Sequence, residues 1–82
     1  MIKLTKEEIK DIYNQGPEDL YFFFQWLKNR EGLSFNNDLE EIRWQHGVIL
    51  SNKENFKISL YGFLYYIKVS YGFKTLFSYM SK

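Results

Sequence analysis

FKISLYGFLYYIKVSYGFKTLFSYM, Phe56 to Met80, decides the fold, because its nine aromatic residues in 25 positions fit two kinds of secondary structure. At helical spacing, Leu60, Phe63, Leu64, Ile67 and Tyr71 share one side, since residues three and four apart are neighbours on a helix. Val69, Phe73, Leu76, Phe77 and Met80 form a second set on another side, which predicts a bend near Gly72. At period two, Phe56, Ile58 and Leu60 alternate with Lys57, Ser59 and Tyr61, and Val48–Ser51 would pair with Phe56–Tyr61 across Asn52–Asn55. Tyr-Gly-Phe recurs at 61–63 and 71–73; a ten-residue offset keeps one face of a strand but turns about 80° around a helix. Aromatic and β-branched residues also favour strands.

Signals upstream favour helices. Thr5-Lys6-Glu7-Glu8 fits a capping box, in which the threonine accepts from a backbone N–H and the glutamate reaches back. Ile9, Ile12 and Tyr13 follow as a short apolar stripe ending around Asn14–Gly16. Pro17 suits the first turn of a second helix, and Glu18 and Asp19 suit the positive end of its dipole. Leu20, Phe23, Phe24 and Leu27 then recur at helical spacing, with Gly32 as the stop. Asn37-Asp38-Leu39-Glu40 reads as a further capping box, leading to Leu39, Ile42, His46, Ile49 and Leu50 on one face. Ser51-Asn52-Lys53-Glu54 reads as a last one, ahead of the aromatic run. The expected fold is all-α, one domain over residues 1–82, a compact bundle of about four helices with the last bent near Gly72. The alternative is α+β with a C-terminal hairpin, and the two readings part over residues 48–61. Leu20, Phe24, Leu27, Ile42, Ile49, Leu60, Leu64 and Ile67 are the expected core.

Eighty-two residues make a small domain, and with no cysteine neither a disulfide nor a thiolate metal site can support it. Phe, Tyr, Lys, Asn and Ile together number 37, alanine is absent and lysine outnumbers arginine nine to two. All five types have AT-rich codons, so coding bias of a low-GC bacterium, its phage or another mobile element accounts for the abundance of aromatics, though not for their placement. The net charge of +1 hides a division: residues 1–41 hold five basic and nine acidic side chains, residues 42–82 six basic and one acidic, and no acid follows Glu54. Two oppositely charged faces of one domain explain this, and so does a basic, aromatic surface for an acidic partner. Met1–Asp11 mixes both signs of charge without an apolar stretch, and no run of apolar residues is long enough to span a bilayer. A cytoplasmic protein without a transmembrane segment is expected, in the host cytoplasm if phage-encoded.

Chemistry finds few residues to use. The lone histidine, His46, falls on the apolar stripe of the third helix and reads as a packed core or rim residue. No carboxylates accompany it at ligand spacing, Gly62 and Gly72 do not make a phosphate loop, and Glu7, Glu8 and Asp11 read as a solvated face. No enzyme, cofactor or metal site is expected.

Binding is the better class. Tyr21-Phe22-Phe23-Phe24-Gln25-Trp26-Leu27 is apolar around nearly a whole helical circumference, so it must be buried on all sides or meet another chain. Tyr21, Phe22 and Trp26 are the first candidates for partner contact, then Tyr61, Tyr65, Lys68, Lys74 and Tyr79. A very small, cysteine-free, aromatic-rich chain suits accessory proteins of phages and mobile elements that occlude a larger host protein. An inhibitor of a bacterial defence nuclease, anti-CRISPR-like, is the concrete expectation, and the near-zero net charge argues against DNA mimicry. The rivals are a toxin or bacteriocin immunity protein, a homodimer, and a single-stranded nucleic-acid-binding or membrane-associated regulator using interleaved lysines and tyrosines.

Overall fold

Capping explains most of the architecture. The computed structural model describes residues 2–13 and 16–81, which form five helices and no strand: α1 (Lys6–Ile12), α2 (Pro17–Glu31), α3 (Asp38–Ser51), α4 (Leu60–Tyr71) and α5 (Phe73–Met80). Thr5 Oγ1 accepts from the Glu8 N–H and Glu8 Oε1 accepts from the Thr5 N–H, so the expected capping box is present. α1 gives way at Tyr13; Asn14 and Gln15, where its end was expected, lie outside the described residues. Pro17 opens α2, and Gly32, at φ 66°, closes it. There the Leu33 N–H reaches the Lys28 carbonyl and the Gly32 N–H that of Asn29, the paired bonds of a Schellman end. At α3, Asn37 Oδ1 accepts from the Glu40 N–H, while Glu40 Oε2 takes the N–H of Asn36 instead of Asn37.

The aromatic segment departs from both readings of it. Ser51 ends α3 and starts nothing; the helix-capping serine is Ser59, whose Oγ accepts from the Gly62 N–H. The side chain of Asn52 is buried and tied to the N-terminal segment: Oδ1 accepts from the Leu4 N–H, and Nδ2 donates to the carbonyls of Ile2 and Val48, each at 2.8 Å. Residues 56–59 have no regular secondary structure and pair with no strand, so the hairpin is absent from the described residues. The first Tyr-Gly-Phe lies in the opening turn of α4, and the second straddles the break at Gly72.

That break makes two helices where one bent helix was expected. Gly72, at φ 98° and ψ 168°, donates to the carbonyls of Ile67 and Lys68 and so closes α4 before α5 turns away. This backbone region is open essentially to glycine alone. A Cβ added here would meet nothing within 4 Å, so the penalty of a side chain is conformational and not steric. Gly72→Ala is expected to lower stability by about 1–3 kcal/mol in urea titration, and an unchanged midpoint would show that α4 and α5 can meet another way.

α2 packs on α1 and α4, and α3 packs on α4 and α5. Of the expected core, Leu20, Phe24, Leu27, Ile42, Ile49 and Ile67 are buried and Leu64 is half-buried. Leu60 is 59% exposed, because α4 turns Phe63, Tyr66 and Ile67 inward. Phe56, from the segment leading into α4, is buried against Tyr13 and Phe23. On α3 the buried side is Ile42, Gln45, Val48 and Ile49, rotated from the expected stripe so that Leu50 faces out. The β-forming residues of α4 thus become helical because three of them at helical spacing bury together. Tertiary burial outweighs a local preference worth about 1 kcal/mol at most.

Candidate functional site

A glutamine in the core needs partners, and the sequence supplies them from three helices. Gln45 Oε1 accepts from the Tyr66 hydroxyl at 2.9 Å, and its Nε2 donates to the Tyr71 hydroxyl at 2.9 Å. Tyr71 donates in turn to Glu41 Oε2, which also accepts from Gln25 Nε2, while Lys28 Nζ pairs with Glu41 Oε1 at 3.0 Å. Burial holds the phenols of Tyr66 and Tyr71 neutral far above the ordinary tyrosine range. No sealed side-chain polar atom among the described residues lacks a partner. The cluster braces α2, α3 and α4; a satisfied network of this kind specifies packing.

His46 is a rim residue. Its ring stacks on Phe63 with centroids 5.0 Å apart, and Nδ1 hydrogen-bonds the Tyr79 hydroxyl. Among the described residues no three His, Asp or Glu side chains come together as metal ligands. No helix among them is long and apolar enough to cross a membrane.

The outer surface is less conventional. Phe22, Val69, Phe73, Phe77 and Met80 are each exposed by 49–62%, and Tyr61 by 83%. Phe22 and Val69 line one shallow groove with Glu18, Tyr21 and Ser70. Beside Val69, Lys68 Nζ lies 4.8 Å from the centre of the Phe73 ring and 5.9 Å from that of Tyr65, within cation–π range. Phe73 stacks on Phe77 at 6.0 Å. The result is an apolar band from α2 across α4 onto α5, with Lys68 in it and Glu18 at one end.

The expected contact residues divide. Phe22, Tyr61, Tyr65 and Lys68 are exposed on or beside this band. Tyr21 is half-buried, edge-on to Tyr71, and Trp26 is half-buried against Phe23 with the Arg30 guanidinium 5.0 Å over its ring. Tyr79 is half-buried against Phe63 and His46, and burial raises its phenol pKa. Lys74 is exposed but lines a separate hollow with Asn37, Asp38 and Leu39, beside the start of α3. Val69, Phe73, Phe77 and Met80 belong to the second apolar set of the sequence, whose remaining member, Leu76, is buried in the core; spacing does not say which members face out. Comparison with known protein families, with characterised proteins and with solved structures finds no match to this chain.

Proposed function

We propose that the protein works without catalysis, by seating the α4–α5 band on a larger protein. The observation that carries this reading is the exposure of Phe22, Val69, Phe73, Phe77 and Met80 along connected surfaces. Isolated exposed apolar residues need no explanation, whereas a contiguous set marks an interaction surface. The band contains Lys68, and its α4 and α5 parts carry no acid, since no carboxylate follows Glu54 in the sequence; Glu18 of α2 stands at one end. Its complement is therefore an apolar patch edged with carboxylates. Small size, lack of cysteine and AT-biased composition add the concrete form of the proposal: a stoichiometric inhibitor from a phage or mobile element, acting on a bacterial defence nuclease.

The test compares the native protein with Phe73→Ser/Phe77→Ser as baits in cells that carry defence nucleases. Both side chains are more than half exposed, so the variant should keep its unfolding midpoint. Loss of aromatic anchors from an interface typically costs at least about 2 kcal/mol, so captured nuclease should fall by roughly thirtyfold or more in affinity. Equal retention by both baits, or no partner for either, would sink the reading. Self-association of the native protein that the variant abolishes would make a second copy the occupant instead.

A further inference from the structure

A second surface, also basic, lies between α1 and the segment that leads into α4. Lys6 and Lys10 stand four apart on α1, and Lys57 joins them from the segment before α4; with Ile9, Tyr13 and Asn55 they line a cavity of about 160 Å³. Like charges at this helical spacing destabilise by a few tenths of a kcal/mol. The ion pairs among the described residues use Lys28 and Arg30, and no carboxylate lines the cavity. Glu7 and Asp11 of α1 do not line it, and Glu8 is occupied by Arg30 and the Thr5 N–H.

Tyr13 joins this cavity to a second one. The residue is only 8% exposed, its ring packed on Phe56, and it lines both cavities. Burial, with the nearby charge of Asp19, raises its pKa and keeps it a donor. Tyr13 and Lys57 also line an adjoining cavity of about 310 Å³, walled by Pro17, Leu20, Ile58 and Tyr66. That volume is at the lower end for small-molecule sites.

We infer that this double cavity binds a phosphate monoester with an aromatic or apolar group: the phosphate among Lys6, Lys10, Lys57 and the Tyr13 hydroxyl, the apolar group against Pro17, Leu20, Ile58 and Tyr66. Lysine serves phosphate as a mobile point charge, and three of them around one cavity suit a dianion better than a carboxylate. The inference is independent of the protein-binding face, since it uses neither Phe73 nor Phe77.

The experiment is an amide-resolved NMR titration at fixed ionic strength with phenyl phosphate, inorganic phosphate and phenol. Phenyl phosphate should shift residues 6–13 and 55–59 saturably, about tenfold or more tighter than inorganic phosphate, with phenol weaker still. Lys57→Gln should weaken binding about tenfold, and Tyr13→Phe, which keeps the ring, should also weaken it. Lys53→Gln, an exposed lysine outside both cavities, should have no effect. Absence of saturation by about 10 mM phenyl phosphate, or equal weakening by Lys53→Gln, would overturn the proposal. A short oligonucleotide that binds the same residues more tightly than phenyl phosphate would also overturn it, in favour of a nucleic-acid strand.

Discussion

Phe24→Ala should cost about 3–5 kcal/mol, while Phe22→Ala, two residues away on the same helix, should stay within about 0.5 kcal/mol. Phe24 is completely buried, its ring 5.6 Å from Phe23, 5.8 Å from Trp44 and 6.3 Å from Tyr66 by centroid. It therefore joins α2 to α3 and α4 at once, and truncation leaves a cavity that three helices must close or tolerate. Domains are stable by only about 5–15 kcal/mol in total, and a small one sits low in that range. The alanine variant should be largely unfolded in mild urea. Phe22 is 62% exposed and packs mainly on Tyr21, so its loss removes little buried surface. Similar midpoint shifts for the two variants would mean that α2 is rotated from the orientation described.

Alkaline pH should unfold the protein through its buried phenols. The phenol of Tyr66 is pushed up from 10.0 by burial first, then by Tyr71 and Glu41, with the Gln45 hydrogen bond opposing. Tyr71 is raised chiefly by burial as well. A group whose folded pKa is raised supports the fold fully below its unfolded pKa, and that support drains as pH climbs towards the folded value. Stability should thus be level up to about pH 10, then fall by about 1.4 kcal/mol per pH unit for Tyr66 alone. By about pH 12 that single group removes close to 3 kcal/mol, and Tyr71, Tyr13 and Tyr79 act in the same direction. Urea titrations from about pH 8 to 12 measure the slope, and Tyr66→Phe should reduce it. A flat profile to about pH 12 would mean that the Tyr66 hydroxyl reaches water.

The contrast between Phe22 and Phe24 also marks how far the sequence could be read. Leu20, Phe23, Phe24 and Leu27 declare the buried side of α2 by spacing, and all four are fully buried. Phe22 stands out as the residue left over. On α3 the same logic fails, because hydropathy ranks Leu50 above Gln45, while the fold buries Gln45 and exposes Leu50. A glutamine becomes a core residue only where Tyr66 and Tyr71 arrive to bond it, and those partners lie 21 and 26 residues away. The exposed apolar band was half legible: most of its members formed a recognisable set, but Phe73 and Phe77 could equally have closed the core. The lysine cavity was not legible at all, since Lys6, Lys10 and Lys57 come together only when the segment before α4 lies beside α1.

By itself the sequence determined the helix ends at Thr5, Pro17, Gly32 and Asn37, because a cap is settled among residues three or four apart. Only the tertiary structure decided between Ser51 and Ser59 as the start of α4. Both serines precede plausible helical sequence, but Asn52, next to Ser51, is committed to the backbone of Ile2 and Leu4 at the far end of the chain. The same holds for the two apolar sets of residues 60–80. Each would bury well, and the packing of α4 and α5 on the other helices buries Phe63 and Ile67 of the first but only Leu76 of the second.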